Sequence, residues 1–387
     1  MAEPIYLDHA ATTPVRPEVM DAMRPYFETQ WGNPSSVHRW GREARAALDE
    51  ARERVAHCLG AAPDEICFTS GGTEADNLAV IGAWRAMRDG GRDAVVTTPI
   101  EHKAILGAVH QIAREGGEER FLTVSATGLV EEESVRAHVD ERVAVTSVMW
   151  VNNEIGTIQP IAGIAALAKA QGSIFHTDAV QAFGKVPVDV RQLPVDLLST
   201  SGHKLGAPKG VGAMFVRRGV KVQPLFHGGT QDRGRRPGTE NVAFCVGFAR
   251  AAELAVAERE AEWARLEALR DALERAILAR VPDAVVHGRG APRAPHILNL
   301  SVPGTDSEAL LMALDLRGIG CSAGSACQSG SIEPSHVLSA IGVSSELAGA
   351  AVRMSLGKLS TPEGIARVAE LFPSLVERAR ATVTSSW

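Results

Sequence analysis

The chain is poor in residues that define several protein classes. Only 5 of its 387 residues are cysteine, an odd number. They are scattered as Cys58, Cys67, Cys245, Cys321 and Cys327, and no two have the CxxC spacing of a zinc site. A disulfide framework is therefore not expected, and reduced thiols in a cytoplasm are. Basic excess is also missing: a net charge of −6 argues against a nucleic-acid partner or an anionic membrane for the whole chain. Apolar runs are broken by charge or glycine well before membrane-spanning length. The start, MAEPIYLDHAATTP, has no charged segment leading into an apolar one, so a secretory signal is not expected. No GxGxxG comes after the first strand, which argues against a nicotinamide-dependent oxidoreductase.

What is present is alternation. Strand patterns at Glu65–Thr69, Ala94–Thr98, Arg120–Ser125, Val143–Trp150, Ser173–Thr177 and Val195–Thr200 are separated by helical patterns. Residues 1–40 read as loop-rich, with a helix from about Arg42 to Leu59. This rhythm predicts an α/β fold with a mostly parallel sheet, whose ligand sits beyond the strand C-termini. A helical region over 241–280 reads as the crossing into a second unit, in which short strands at 284–287 and 297–302 precede a closing helix near 362–380.

Polar residues collect at the expected strand ends. Lys204 comes after an apolar run and sits among glycines in LLSTSGHKLGAPKG. Partial desolvation there would yield a neutral amine able to form a Schiff base, the chemistry that pyridoxal phosphate requires. Gly71-Gly72-Thr73 stands between a strand and a helix N-terminus, a place suited to an anion. Asp178 could hold a protonated pyridine nitrogen, with Gln181 one turn on. His102 could stack on a ring or shuttle protons. Each has a plainer account: a solvated lysine, a capped helix, an N-cap aspartate, a core histidine. Asn153 could likewise be a turn residue. It is their coincidence at successive strand ends that favours a site. Arg233, Arg235 and Arg236 suit anion contact or a subunit interface. Finally, Cys327 lies in a Ser/Gly/Ala-rich stretch, 322–331, whose composition suits a mobile loop and a nucleophile that swings. An inert thiol remains the alternative. Cys321, beside Ile319, reads as a packing residue.

Taken together, the blocks YLDHAATTP, GNPSSVH, FTSGGTEADN, EHKAIL, VMWVNNEIGTIQPI, FHTDAVQAFGKVP, SGHKLGAPKGVG, RGRRPGTENV, SAGSACQSGSIEPSHVL and VRMSLG resemble the cysteine desulfurases. These are pyridoxal-phosphate enzymes of aminotransferase fold type I in the class-V group. The longer cysteine loop is similar to the branch serving nitrogen fixation and iron–sulphur cluster assembly. The resemblance implies a large domain over 12–258 with a mostly parallel seven-stranded sheet. It implies a smaller α/β domain from 1–11 and 259–387.

It further implies that Lys204 carries the cofactor, while Gly72, Thr73, Ser201 and His203 hold its phosphate and Gly202 contributes to binding it. Thr239 would reach in from the other subunit of a homodimer. His102 would stack on the ring, Asp178 pair with its nitrogen and Gln181 contact its phenolic oxygen. Asn153 and Arg353 would receive the substrate L-cysteine, with Asn33 assisting. Cys327 would take the sulphur as a persulfide and pass it to an iron–sulphur scaffold or another acceptor protein, and could transiently ligate a cluster. No resident metal is implied. Gln328 stands where many relatives have threonine, and Ala323 where they have serine. A selenocysteine lyase, or a non-catalytic sulphur relay of the same fold, is the rival reading.

Overall fold

The computed structural model describes residues 3–323 and 334–384. In chain order its strands are β1 (Ile5–Tyr6), β2 (Ile66–Thr69), β3 (Ala94–Thr97), β4 (Glu118–Phe121), β5 (Val143–Ser147), β6 (Ile174–Asp178), β7 (Leu197–Ser201), β8 (Gly212–Val216), β9 (Val285–Val286), β10 (Ile297–Ser301), β11 (Ile319–Gly320) and β12 (Ala351–Ser355). Seven of them form one sheet in the order β2-β8-β7-β6-β5-β3-β4. Only β8 runs against its neighbours β2 and β7; the other pairs are parallel. β2 and β7 therefore point the same way, and the C-terminal ends of all six parallel strands share one edge. The central strands read as short, fully buried apolar runs, as strands covered on both faces must.

Helices cover both faces. Lys103–Arg114 shows why: Ala104, Ile105, Ala108, Val109 and Ile112 recur at helical spacing and are buried. The 39-residue helix Val242–Arg280, about 58 Å long, links two cores. Its first turns (Val242–Ala252) pack into the core around Phe175, Phe183 and Phe248. Its later turns (Leu266–Ile277) pack into a second core with Leu7, Leu298, Leu310, Val352 and Phe372. That core lies against an antiparallel sheet, β12-β10-β9. The chain start joins it: β1 pairs in parallel with β11, and Asp8 bridges to Ser355.

Three local expectations are corrected. Residues 1–40 contain helices at Pro17–Met23 and Pro25–Glu28, each opened by a proline at its first position. The strand expected at Arg120–Ser125 is instead Glu118–Phe121, because β4 takes its register from β3. Strands β8 and β12 have no counterpart in the reading of alternation.

Candidate active site

A cleft of about 470 Å³ opens beyond the shared C-terminal edge, within the range of small-molecule sites. Five of the parallel strands supply it through the residues just past their ends. After β2, Gly71 adopts a φ of 154°, where a side chain would be strained, and the helix Gly72–Arg88 begins with no side-chain cap. Its first-turn N–H groups are left to whatever sits at this end of the cleft. Gly72 must lack a side chain, since a Cβ would stand 2.9 Å from Val180 Cγ2. Thr73 and Ser201 line the same end. Glu74 is held away from it by Arg236 Nε at 2.9 Å and by the N–H of Ser70 at 2.8 Å.

Asp178, the last residue of β6, is 5% exposed and accepts from the N–H of Val180 at 2.8 Å. Burial pushes its carboxyl above the ordinary range, opposed by the His102 charge. Among the described residues it has no lysine, arginine or histidine in ion-pair contact. Beside it lies Asp76, 1% exposed, raised by burial and then by Asp178 itself. His102 caps the helix Lys103–Arg114: its Nδ1 accepts from the N–H of Ala104 at 3.1 Å, which leaves the proton of the neutral ring on Nε2. Burial lowers its pKa.

Lys204 sits after β7 on a single 3₁₀ turn, Gly202–Lys204. Its Nζ donates to the carbonyls of Ala10 and Ala11, both at 2.6 Å. Burial, then the charges of Arg353 and Lys185, push its pKa down to about 7. The expected neutral amine is thus produced by the fold. The segment Ala10–Thr13 is laced to this turn: Thr13 Oγ1 donates to the His203 carbonyl at 2.8 Å, and His203 Nδ1 meets Thr12 Oγ1 at 3.1 Å. Burial pushes His203 down to about 4, so it is neutral.

Arg353, on β12, is 4% exposed, and donates from Nη1 to the Asn153 carbonyl at 2.9 Å and from Nη2 to Asp8 Oδ1 at 2.8 Å. The Asn153 Oδ1 atom is buried with no hydrogen-bond partner among the described residues. Gln181 uses its amide inside the protein, donating from Nε2 to the Ala10 carbonyl at 2.9 Å and accepting from His296 Nε2 at 3.1 Å.

Of the expected site residues, Gly72, Thr73, His102, Asn153, Asp178, Gln181, Ser201, His203, Lys204 and Arg353 line one cleft. Three do not. Gly202 is a packing glycine: a Cβ would meet Val211 Cγ1 at 2.9 Å and Phe248 Cδ2 at 3.1 Å. Asn33 is exposed and closes a turn, accepting from the N–H of Ser35 at 2.9 Å. Thr239 is exposed on a loop outside this cleft. Cys327 lies outside the described residues. Cys321 packs against the second core, and burial pushes its thiol up to about 12. Asp8 and Asp76 escape the sequence reading as individuals, although both stand inside recognised blocks. Nothing in the neighbours of Asp76 signals a buried carboxylate. His336, which donates from Nε2 to the Glu101 carbonyl at 2.8 Å, escapes it likewise.

The donor set fits pyridoxal phosphate. An uncapped helix start with two hydroxyls suits a dianionic phosphate, a buried carboxylate with no ion-pair partner among the described residues suits a pyridinium, and a lowered-pKa lysine suits an aldehyde.

Fold and cleft thus define a class: α/β proteins whose site is built around one lysine amine at the sheet's C-terminal edge. The family described as Aminotransferase class-V matches residues 5–368, and the chain belongs to it. It is 44% identical to the Cysteine desulfurase IscS of Dictyoglomus turgidum over 98% of this chain and 96% of that one. It is 45% identical to the Cysteine desulfurase IscS of Methanosarcina thermophila, over 97% and 93%. A solved NifS-like protein superposes with a TM-score of 0.91 at 35% identity, covering 97% of this chain and all of its own.

Proposed function

We propose that this chain is a pyridoxal-phosphate-dependent cysteine desulfurase, converting L-cysteine to L-alanine and passing the sulphur to an acceptor for iron–sulphur cluster assembly. The observation that carries the reading is the placing of Lys204, with its pKa near 7, in one cleft with Asp178, which has no ion-pair partner among the described residues, and the uncapped helix start at Gly72. Lys204 would hold the cofactor covalently, Asp178 its ring nitrogen and His102 its ring face. The N–H groups at Gly72 and Thr73, with Ser201 and His203, would hold its phosphate. When bound, the group supplies an electron sink for a carbanion at the substrate Cα.

The chain's own residues do the rest. Arg353 is oriented by Asp8 and the Asn153 carbonyl, and a guanidinium fork so fixed grips a substrate carboxylate. The unsatisfied Asn153 Oδ1 offers the amino group an acceptor. Lys204 Nζ, about half of it neutral at pH 7, would take the Cα proton once the substrate amine has displaced it, and His102 Nε2 stands ready to hand a proton on. Cys327 as thiolate attacks the substrate sulphur. The new S–S bond forms as the C–S bond breaks, and that electron pair stays with the three-carbon remainder, which leaves as alanine after protonation.

The same proposal takes the chain as a homodimer, supported by Thr239 and Asn33 being exposed outside the cleft of their own chain. It divides the chain into 12–258 and 1–11 with 259–387, supported by the separate core that contains Leu7 and residues from Leu266 on. It is placed in the cytoplasm, with an acceptor protein as partner and neither nucleic acid nor membrane. Among the described residues no helix is long and apolar enough to cross a membrane. The test is Cys327→Ser. It should retain the cofactor's visible absorbance and lose alanine release and persulfide formation; full turnover in that variant refutes the reading.

A further inference from the structure

A second cavity, of about 540 Å³, lies against the active-site cleft, and among the described residues Lys204 alone lines both. Much of its wall is apolar, from Pro14, Val15, Ala255, Leu266 and Leu356. Into this setting the fold places three buried polar atoms without partners among the described residues: Lys185 Nζ, His9 Nε2 and His296 Nδ1. The two histidines are 5% and 1% exposed. Leaving one such atom unsatisfied costs about 1–3 kcal/mol; three in one cavity point to something that satisfies them.

The remaining ring contacts define what that is. His9 Nδ1 faces the Ser355 carbonyl at 3.2 Å and must donate to it, so Nε2 is the acceptor of a neutral ring. The His9 ring has room only because position 357 is glycine, whose Cβ would collide with Cδ2. His296 Nε2 donates to Gln181 Oε1 at 3.1 Å, which makes Nδ1 an acceptor too. Burial lowers the pKa of both rings, so both are neutral near pH 7. The three groups lie within electrostatic reach of one another, since the charge of Lys185 lowers both histidines. Lys185 itself, pushed down only to about 8 by burial, remains mostly an ammonium at pH 7. The carboxylates lining the cavity are otherwise engaged: Glu18 by Arg16, Glu258 by Arg16 and Lys358, Glu262 by Arg265 and Lys358.

With Lys204 committed to the cofactor, Lys185 is the one lining cation without a carboxylate partner among the described residues; with two neutral acceptors and apolar walls it is complementary to a ligand with one carboxylate, a neutral hydroxyl donor and a short hydrocarbon body. We propose that this cavity is a second small-molecule site, separate from the catalytic cleft, that takes a small 2-hydroxy carboxylate. Its carboxylate lies on Lys185, its hydroxyl donates to His9 or His296, and its body lies against Leu266 and Leu356.

The probe is 2-hydroxyhexanoate, added to the full-length, cofactor-loaded protein, with thermal unfolding as the readout. The expected result is a rise in melting temperature of roughly 2–4 °C at saturation, a smaller rise with hexanoate and none with 2-hydroxyhexanamide. Lys185→Met keeps the aliphatic stem, removes an unpaired buried charge and should fold, yet lose the response. No rise with 2-hydroxyhexanoate, or an equal rise with the amide, overturns the proposal on the wild-type protein alone. An undiminished rise in Lys185→Met overturns it too, because the carboxylate is then held elsewhere, as by Arg353.

Discussion

Nη2 of Arg353 stands 2.8 Å from Oδ1 of Asp8, joining residues 345 positions apart in the chain. The pair ties the start of the chain to β12 and fixes the plane of the guanidinium. Arg353→Lys places a cation in the same region but cannot reproduce the fork. The expected outcome is a KM for L-cysteine raised roughly 100-fold, about 2.8 kcal/mol, with the cofactor's visible absorbance retained. Steady-state kinetics of alanine release checks it.

Lys204 gives a pH dependence whose sign is fixed. Its folded-state pKa, about 7, lies below the ordinary 10.5. The folded apoprotein therefore binds fewer protons than the unfolded chain between these values, and its stability rises with pH across that window. Capture of added pyridoxal phosphate should be half-maximal in rate near pH 7 and flatten above it. Lys204→Ala should give no borohydride-trappable adduct at any pH. Stopped-flow absorbance measures the profile.

Asp178 has the opposite linkage. Its folded-state pKa is raised above 3.8, so burying it favours folding least when it is ionised. The stability contribution is present in acid and lost as pH rises through the folded value. Apoprotein carrying Asp178→Asn should thus gain melting temperature over wild type in mildly alkaline buffer and little near pH 4. Its turnover should fall roughly 100-fold or more, because a preorganised charge is removed from the site.

Gly202 separates packing from binding. Gly202→Ala forces a methyl against Val211, Ala207 and Phe248, and should cost about 1–3 kcal/mol by overpacking. Denaturant melts check this. Its effect on the cofactor should come only through displacement of the neighbouring turn.

Much of this site is legible in the sequence because a parallel sheet puts function at strand ends. The buried stripe of the helix Lys103–Arg114 is legible in its apolar spacing, and Thr73, His102, Asp178 and Lys204 stand out as polar residues just past apolar runs. The residues that escape depend on pairing across long separations. Asp8 matters through Arg353, and although Gln181 is itself an expected site residue, its partners His296 and Ala10 lie 115 and 171 positions away. Strand β8, GAMFV, is short and apolar like the parallel strands of the sheet, and nothing in it announces that it runs the other way. Gly202 resembles a cofactor-binding residue because it stands in the SGHK block beside Lys204, and its packing role needs Phe248 from the long helix.

The central claim is that the amine of Lys204 and the thiol of Cys327 serve one reaction. It is tested most directly by incubating the cofactor-loaded protein with ³⁴S-labelled L-cysteine and analysing the Cys327 peptide by mass spectrometry without reduction. The account predicts that this peptide alone gains one labelled sulphur atom, and that Lys204→Ala abolishes the gain. Label on Cys58, Cys67, Cys245 or Cys321 in its place, or undiminished label at Cys327 without Lys204, would contradict it.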